Sequence, residues 1–326
     1  MHPIYKGTGV TQAELTPAIF LMGPTAAGKT ALALALHRRF PVEVISVDSS
    51  QVYRGMDVGT AKPTVAERAR VPHRLIDIRD PAESYSAADF RADALREMAE
   101  IAGSGRIPLL VGGTLFYFRT LEHGLSPLPP ANAEIRAWLN QESARVGWPA
   151  LHQRLQVADP AVAERIHPHD AQRIQRALEI VELTGRAPSD WYQHPGAGPV
   201  PYKLLKISIY PQERARLHRR IAARFHAMLD RGLVAEVGAL RQRGDLSLEL
   251  PSMRTVGYRQ VWQYLTGVLS YNEMVQQGIA ATRQLAKRQL TWLRSYPEVQ
   301  HVDSSGKDLE AACVDHVATR LNRNGL

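Results

Sequence analysis

The sequence predicts an α/β fold in which helices flank a parallel sheet and an all-helical insertion interrupts the chain. Three observations support this prediction. The apolar run at 18–22 leads directly into a glycine-rich loop and then into a helix-forming stretch. Further short apolar runs alternate with stretches of helical periodicity, which is typical of a parallel sheet covered by helices. Between residues 129 and 200 the periodicity is helical throughout.

The first 128 residues supply the beginning of the sheet. Apolar runs predict strands at 18–22, 42–47 and 107–111, and the periodicity between them predicts helices at 31–40 and 86–102. Ser86, with Asp89 three residues later, forms a weak capping box at the start of the second helix. We therefore assign 1–128 to a catalytic core domain.

The proline-rich stretch SPLPP at 126–130 marks the change from strands to helices. Within the insertion, 129–200, helices are predicted at 131–146, 149–157 and 169–184, and a loop closes it at 194–201. An apolar run at 203–210 returns to the sheet. The rest of the chain predicts helices at 212–229, 232–242, 252–266, 271–295 and 308–322, with an edge strand at 299–302. The core domain therefore comprises 1–128 and 201–326.

Composition and charge narrow the possible functions. The net charge of +8 is local, because residues 201–300 hold 16 Lys and Arg against 7 Asp and Glu, and it suggests a polyanionic partner. The single cysteine, Cys313, excludes an internal disulfide or a cysteine-based zinc cluster. The start of the chain lacks the apolar run of a secretory signal, and no stretch is long enough to span a membrane. We expect a cytoplasmic protein that does not bind a membrane.

The stretch GPTAAGKT matches the phosphate-loop pattern G-x-x-x-x-G-K-[ST] in full and lies between a strand and a helix. In such a loop the backbone N–H groups point at phosphate oxygens, the lysine adds positive charge and the last hydroxyl suits Mg²⁺. The core is thus expected to be a P-loop NTPase-like sheet. The predicted phosphate-binding residues are Gly23, Pro24, Thr25, Ala26, Ala27, Gly28, Lys29 and Thr30. A nucleoside triphosphate and an organic diphosphate would both fit.

Asp48 follows the apolar strand at 42–47. P-loop kinases usually place an acidic residue at the end of another apolar strand to hold Mg²⁺, but the strand at 107–111 is followed by Gly112, Gly113 and Thr114. Asp77, in RLIDIRD, is a second acid near a strand end. The residues alone leave Asp48 as a metal ligand, a general base, or an aspartate that only caps the next turn.

Six stretches together resemble one family, the bacterial tRNA dimethylallyltransferases, also called tRNA isopentenyltransferases. They occur in the family's order along nearly the whole chain: GPTAAGKT at 23–30, DSSQVYRGMDVGTAKP at 48–63, GGTLFY at 112–117, DAQRIQRALEI at 170–180, MRTVGYRQ at 253–260 and RQLAKRQLTWLR at 283–294. The C-terminal zinc finger of eukaryotic relatives is not expected, given the single cysteine. The resemblance implies transfer of a dimethylallyl group from dimethylallyl diphosphate to N6 of the adenosine 3′-adjacent to the tRNA anticodon.

The resemblance also implies a role for each matched residue. Asp48 would accept the N6 proton, Thr25 and Arg254 would stabilise the leaving diphosphate, and the phosphate loop with Arg254 would bind it. Mg²⁺ is the implied cofactor, with Thr30 as its protein ligand. The residues implied in tRNA binding are Asp48, Ser49, Ser50, Gln51, Thr114, Arg136, Gln172, Arg173, Ile174, Gln175, Arg176, Met253, Arg254, Thr255, Val256, Gly257, Tyr258, Arg283, Lys287, Arg288 and Trp292. Among them, Thr114 would contact the target nucleotide and Gln51 a purine edge.

Two predicted helices carry cations at spacings that suit an RNA backbone. In 170–181 an apolar stripe at Ile174, Leu178 and Val181 predicts the buried face and leaves Arg173 and Arg176 elsewhere. The helix at 283–294 carries a basic stripe, at Arg283, Lys287 and Arg294. A merely solvated helix face explains each pattern as well, so the residues alone do not decide.

Two other functions compete with prenyl transfer. A P-loop kinase of a small metabolite would use ATP, with Asp48 as base or Mg²⁺ ligand and 129–200 as a lid. A P-loop-bearing RNA-binding protein without chemistry would bind RNA in a salt-dependent way and form no product. The missing acid after the strand at 107–111 and the local excess of cations favour prenyl transfer. A monomer is expected, because one chain would hold one tRNA.

Overall fold

The computed structural model describes residues 15–193, 196, 198–306 and 308–322. Two expectations fall outside this part of the chain: the lack of a signal segment, for residues 1–14, and the loop at 194–201, for positions 194, 195 and 197. The chain divides into two compact units. One unit combines the residues up to Leu121 with those from Pro201 onward, and the other is Glu122–Val200.

A parallel six-stranded sheet forms the centre of the first unit and confirms the predicted α/β fold class. The described strands are β1 (Pro17–Met22), β2 (Val42–Val47), β3 (His73–Arg74), β4 (Ile107–Gly112), β5 (Lys203–Tyr210) and β6 (Gln300–Asp303), in the order β3-β2-β4-β1-β5-β6. Gly112 pairs with both Met22 and Val47, so the carboxyl ends of the three central strands meet. Ligands of open parallel sheets bind at this edge.

Four helices follow in the first part of the chain: α1 (Lys29–Arg39), α2 (Val65–Arg70), α3 (Ala87–Gly103) and α4 (Leu115–His123). The predicted capping box of α3 is confirmed, because Asp89 N donates to Ser86 Oγ at 3.1 Å and Ser86 N donates to the Asp89 carboxylate at 2.9 Å. The sequence does not predict α2, β3 or α4. In α4 five of nine residues are buried and Phe116 is on the exposed side, so the alternation of apolar and polar residues is weak.

The second unit is helical, with α5 (Ala133–Val146), α6 (Trp148–Ala158), α7 (Pro160–Ala163), α8 (Ala171–Thr184) and α9 (Pro188–Tyr192). Its core is formed by Leu139, Leu151, Leu155, Ile174 and Leu178 together with smaller apolar residues. The buried stripe predicted for α8 is confirmed at Ile174 and Leu178, while Val181 is half-buried. One carboxylate, that of Glu179, is fully buried in this unit.

Five helices complete the first unit: α10 (Arg214–Asp230), α11 (Leu233–Gln242), α12 (Tyr258–Leu265), α13 (Tyr271–Arg294) and α14 (Leu309–Asn322). The prediction of a single helix over 252–266 is wrong in its first six residues. Residues 252–257 form turns, and Gly257 has a φ of 95°, in the left-handed region, directly before α12. A left-handed residue interrupts a helix, which is why α12 starts only at Tyr258.

Candidate active site at the carboxyl edge of the sheet

The loop between β1 and α1 forms a cradle of backbone N–H groups. Ala26 and Gly28 both have positive φ values, 62° and 100°, so successive N–H groups turn towards one side of the loop. The N–H groups of Ala26, Gly28, Lys29 and Thr30 donate to no acceptor among the described residues. The cradle also opens at the N-terminus of α1, where the helix dipole favours an anion. The predicted phosphate-binding loop therefore has the geometry of an anion site.

Lys29 is held inside this loop. Its Nζ donates to Gly23 O and to Pro24 O, each at 2.9 Å. Burial and, to a smaller extent, nearby Arg224 lower the pKa of Lys29 to about 8, although Asp48 partly opposes them. An ammonium group with so low a pKa gains much from a neighbouring anion, because the anion stabilises its charged form.

Asp48 lies directly after β2, half-exposed, beside two cations. Its Oδ1 accepts hydrogen bonds from Ser50 N at 2.8 Å and Gln51 N at 3.3 Å, which fixes the turn that follows. Its second oxygen, Oδ2, accepts no hydrogen bond from the described residues. The carboxylate interacts electrostatically with Lys29 and Arg224. Asp48 therefore caps the turn with one oxygen and keeps the other for a ligand.

Arg224 is a site residue that sequence reasoning missed. It lies on α10, and burial lowers its pKa while Asp48 opposes that shift. Its guanidinium makes no hydrogen bond or ion pair with a described residue. A signal was present in the sequence: Arg224 follows Leu217 and Ile221 at helical spacing, so a cation occupies the stripe that packs inward. A half-buried arginine without an internal partner indicates an anionic ligand.

The end of β4 faces the turn after Asp48. Thr114 Oγ1 accepts a hydrogen bond from Ser49 N at 3.1 Å, and Thr114 N donates to Val47 O at 3.3 Å. Gly112 permits this close approach, because a Cβ there would lie 2.0 Å from Val47 O. Thr114 is thus brought to the Asp48 turn, as the prediction requires.

The amide of Gln51 is used within the protein. It accepts a hydrogen bond from Ser46 Oγ at 3.1 Å and donates to the carbonyl oxygen of Thr60 at 3.3 Å. These bonds fasten the turn after Asp48 to a neighbouring loop. The predicted contact of Gln51 with a purine edge stays a prediction, and it would require these bonds to open.

The second acid near a strand end, Asp77, has a structural role. It has a φ of 59° and its carboxylate accepts hydrogen bonds from Lys62 Nζ and Arg68, each at 2.6 Å. Hydrogen bonds and charge from these two cations lower the pKa of Asp77, although burial alone would raise it. Asp77 is therefore committed to ion pairs within the loop and is not a second Asp48.

The stretch MRTVGY, residues 253–258, is in large part internal. The side chains of Met253 and Tyr258 are fully buried, so the prediction that they contact tRNA is wrong for their side chains. The Tyr258 hydroxyl donates to Glu236, whose carboxylate also accepts from the backbone N of Asp57, Val58 and Gly59 at 2.9, 2.7 and 3.1 Å. These residues position the loop after Asp48.

Arg254, Thr255 and Val256 retain some exposure in this stretch, while Gly257 is buried. Thr255 Oγ1 lies 3.4 Å from Ser50 Oγ, which brings it to the turn after Asp48. Arg254 is exposed and its Nε donates to Leu248 O at 3.1 Å. The cation that interacts with Lys29 and Asp48 is Arg224, and the role of Arg254 in binding diphosphate stays a prediction.

The helix α13 contributes an exposed basic face and an inward-facing amide. Arg283, Lys287, Arg288 and Arg294 are exposed, as the sequence predicts. Trp292 is half-buried, 6.4 Å edge-to-face from Phe116 and under the guanidinium of Arg119. Sequence reasoning missed Gln289, which bridges the backbone of Thr25 in the phosphate loop and Gly113 after β4.

In the helical unit, two arginines that the sequence predicts to contact RNA bind a carboxylate of the protein instead. Arg136 donates to both oxygens of Glu179 at 2.8 and 3.0 Å, and Arg176 donates to Glu179 at 2.6 Å and to Pro129 O at 2.6 Å. Burial alone would raise the pKa of Glu179, but the hydrogen bonds from the two arginines lower it. Both guanidiniums thus neutralise a buried carboxylate.

The remaining residues predicted on α8 divide by exposure. Ile174 is completely buried, so the prediction that its side chain contacts tRNA is wrong. Gln175 donates to Asn140 Oδ1 at 2.8 Å and to Arg136 O at 3.3 Å. Gln172 and Arg173 are exposed, and Arg173 Nε lies 3.5 Å from Asp170 Oδ2. Of the predicted set on this helix, these two side chains present their polar atoms to solvent.

The donors near the phosphate loop suit a magnesium ion that also binds phosphate oxygens. The described residues contain no group of three or more His, Cys, Asp or Glu side chains that could hold a metal ion. Mg²⁺ is commonly held by one or two protein oxygens together with substrate phosphates rather than by a protein cage. Thr30, exposed at the start of α1, and Asp48 offer such oxygens. In the part of the chain that the structure describes, no helix is long and apolar enough to cross a membrane.

Comparisons with known proteins agree with this arrangement. The family model described as IPP transferase matches residues 51–296. The full-length tRNA isopentenylpyrophosphate transferase from Bacillus halodurans is 36% identical over 96% of this chain and 98% of its own, with a TM-score of 0.70. The tRNA delta(2)-isopentenylpyrophosphate transferase from Staphylococcus epidermidis is 31% identical over 94% of this chain and 99% of its own, with a TM-score of 0.67. A eukaryotic dimethylallyltransferase acting on tRNA is 26% identical over 91% of this chain and 77% of its own, with a TM-score of 0.75.

Proposed function

The chain belongs to the IPP transferase family, and on that premise we propose the reaction that it catalyses and the residues that carry it. The protein is a tRNA prenyltransferase. It transfers the dimethylallyl group from dimethylallyl diphosphate to N6 of the adenosine 3′-adjacent to the tRNA anticodon. The bond between C1 of the prenyl group and the bridging oxygen breaks, a bond from C1 to N6 forms, and one proton leaves N6. The products are N6-(dimethylallyl)adenosine and diphosphate.

The observation that carries this proposal is the position of Asp48. One carboxylate oxygen has no described partner, and the group lies in the field of Lys29 and Arg224, which suit the leaving diphosphate. A proton acceptor and a pair of anion-binding cations are therefore close together. An exocyclic amine becomes acidic as the new C–N bond forms, and a carboxylate within hydrogen-bond reach then accepts its proton.

The diphosphate binds in the cradle of the phosphate loop. The N–H groups of Ala26, Gly28, Lys29 and Thr30 donate to it, and Lys29 and Arg224 balance its charge. The Thr25 hydroxyl, which has no described hydrogen-bond partner, contacts the bridging oxygen. Because negative charge grows on that oxygen as the C–O bond breaks, donors fixed in advance stabilise the transition state more than the bound substrate.

Magnesium is the proposed cofactor. Thr30 and oxygens of the diphosphate would hold it, and its charge would further neutralise the leaving group. The extrusion of the target adenosine from the stacked anticodon loop brings N6 to Asp48, at a cost of a few kcal/mol. Thr114, which already bonds the turn after Asp48, contacts the same nucleotide.

The tRNA backbone contacts the exposed basic face of α13. Arg283, Lys287 and Arg288 are exposed there, and phosphate contacts of this kind give salt-dependent affinity. In the helical unit, exposed Gln172 and Arg173 are the proposed contacts, while Arg136 and Arg176 act by supporting the unit. We also propose that the protein acts as a monomer in the cytoplasm.

A kinase reaction with ATP is not favoured. The strand β4 ends at Gly112 and is followed by Gly113 and Thr114, so the acidic residue that a kinase usually has there is missing. The carboxylate near the cradle is that of Asp48, and one of its oxygens already caps a turn. A phosphate loop by itself fits ATP as well, but the family match covers residues 51–296, which lie outside that loop. The matched residues therefore favour the prenyl donor.

The test is a product assay. The protein is incubated with Mg²⁺, unmodified tRNA that has adenosine 3′-adjacent to the anticodon, and either dimethylallyl diphosphate or ATP. The tRNA is digested to nucleosides, which are identified by mass spectrometry. We expect a dimethylallyl adduct on adenosine only with dimethylallyl diphosphate. ATP turnover without an adduct would replace the proposal with a kinase, and salt-dependent RNA binding with neither would replace it with a binding protein.

A further inference from the structure

One amide side chain joins the two halves of the site. Gln289 Oε1 accepts a hydrogen bond from Thr25 N at 3.0 Å, and Gln289 Nε2 donates to Gly113 O at 2.9 Å. Both ends of the amide are therefore used, each in the role its chemistry requires. Thr25 belongs to the phosphate loop and Gly113 directly precedes Thr114. The three residues come from β1–α1, β4–α4 and α13, which are far apart in the sequence.

The residues next to this amide leave space for it. A Cβ at Gly113 would lie 2.5 Å from Gln289 Nε2, closer than any real contact allows. Glycine at 113 thus leaves room for the amide nitrogen to reach the carbonyl oxygen. Within the loop, Thr25 N donates to Gln289, whereas the N–H groups of Ala26, Gly28, Lys29 and Thr30 have no described acceptor. Gln289 therefore holds the loop without occupying its anion-binding donors.

The same helix turn carries the exposed cations. Lys287 and Arg288 are exposed immediately before Gln289, and Trp292, three residues later, packs against Phe116. Phe116 lies two residues after Thr114, so α13 contacts the β4–α4 turn at two successive points. A change in α13 on binding RNA would be passed directly to the phosphate loop and to the Thr114 turn.

We infer that Gln289 is a positioning residue that sets the diphosphate cradle in register with the adenosine site and links both to the RNA-binding helix. It touches neither the proton acceptor nor a phosphate-binding donor, so it acts through Thr25 and Gly113. The inference rests on the proposed prenyl transfer. It predicts that loss of the bridge slows the chemical step more than it weakens either substrate.

The test compares Gln289→Met, which keeps the length of the side chain and removes both hydrogen bonds, with Gln284→Met. Gln284 is exposed on the same helix and serves as the matched control. For each variant we would measure the melting temperature, the affinity for inorganic diphosphate, the affinity for an anticodon stem–loop, and the single-turnover rate of adduct formation with both substrates saturating. Wild-type protein in the same assay reports on the proposed function itself.

We expect Gln289→Met to lower the single-turnover rate by about tenfold or more, as misplacement of reacting groups does. Each affinity should change less than about threefold and melting should match that of the control. A rate within about threefold of the control would overturn the inference. So would a loss of rate fully explained by a fall in melting temperature or in diphosphate affinity. If wild-type protein forms no adduct, the proposed function itself has failed, and that result differs from the two that would overturn only the role of Gln289.

A second variant approaches the bridge from the other side. In Gly113→Ala the new methyl group would displace the amide of Gln289, so it should slow the same step. If both changes act through one bridge, the double variant should be little slower than the slower single variant. Fully multiplicative losses would show two independent effects and contradict the bridge. Gly113→Ala also keeps the inference testable if Gln289→Met does not fold.

Discussion

The sheet edge and the helical unit both carry charged side chains, yet they use them in opposite ways. At the sheet edge, Asp48 Oδ2 and the guanidinium of Arg224 have no described hydrogen-bond partner. On α8, Arg176 is paired with Glu179 and donates to Pro129 O, and Arg136 of α5 binds the same carboxylate. The first set is prepared for a ligand, and the second holds its own unit together.

This difference shows that a motif marks residues without saying what they do. A buried charge without a protein partner is costly, so it persists where a ligand supplies the partner. A charge that is already paired would have to lose that pair before it could bind RNA. For Asp48 and Arg224 on one side, and Arg136 and Arg176 on the other, the partners of the charged groups therefore separate the proposed substrate-binding residues from the supporting ones.

The largest expected effect is on the proton acceptor. Asp48→Asn keeps an oxygen that can accept from Ser50 N, so the turn should persist while the carboxylate is lost. We expect the rate of adduct formation to fall by about 10²- to 10⁴-fold, the usual range for loss of a general base. Single-turnover kinetics measure it, with stem–loop affinity as the control. A rate within a few-fold of wild type would remove Asp48 from the base role.

The next effect concerns the cations of the cradle. Arg224→Gln removes a positive charge that interacts electrostatically with Lys29 and Asp48. Charged hydrogen bonds contribute about 1.5–3 kcal/mol, so affinity for inorganic diphosphate should fall by roughly 10- to 100-fold. Calorimetric titration measures this, and Arg254→Gln is the matched comparison. A larger loss in Arg254→Gln would return the phosphate role to Arg254.

In the helical unit the effect should be on stability. Replacing both Arg136 and Arg176 with Ala leaves Glu179 buried without its two cations, which should cost about 3 kcal/mol of unfolding free energy. Arg173→Ala, on the exposed side of the same helix, should leave stability unchanged and weaken stem–loop binding. Chemical denaturation and RNA titration measure the two. Unchanged stability in the double variant would place these arginines with the ligand-binding group.

A smaller effect should appear with pH. The pKa of Lys29 is lowered to about 8 by burial and by Arg224, and an anion binds its charged form more tightly. Diphosphate affinity should therefore be full below pH 8 and decline above it, by up to about tenfold per pH unit. Titration of inorganic diphosphate across pH 7–10 measures this decline in affinity, and Lys29→Arg should remove the decline. A flat wild-type profile would mean that the amine stays charged throughout.

The smallest effect should come from a single surface cation. Lys287→Ala should weaken stem–loop binding and reduce the slope of log affinity against log salt by about one unit. Salt titrations of binding measure the slope, with the uncharged replacement Gln284→Ala as the control. An unchanged slope would exclude Lys287 from the phosphate contacts.

The sequence predicted the elements whose signals are local. The phosphate loop, the capping box at Ser86 and the exposed basic face of α13 all follow from short-range patterns, and the structure contains each of them. The start of α12 was misplaced because the left-handed conformation of Gly257 depends on its packing, not on periodicity.

The residues that the sequence did not assign depend on tertiary contacts. Arg224 reaches the cradle from α10 and Gln289 reaches it from α13, roughly two hundred residues or more along the chain from the phosphate loop. Similarly, the partners of Arg136 and Arg176 meet only when α5 packs on α8. Local sequence patterns do not show which distant residues pair, although the position of Arg224 within an apolar stripe was a usable clue.

The central claim is that Asp48 and Arg224 touch the substrates, whereas Arg136 and Arg176, which are paired with a buried carboxylate, do not. The most direct measurement is a crystal structure of this protein with an anticodon stem–loop and inorganic diphosphate. We predict Asp48 Oδ2 within hydrogen-bond distance of the adenosine N6, Lys29 and Arg224 on the diphosphate, and Arg136 and Arg176 still on Glu179. Arg176 bound to RNA with Glu179 abandoned, or Arg224 turned away from the diphosphate, would contradict the account.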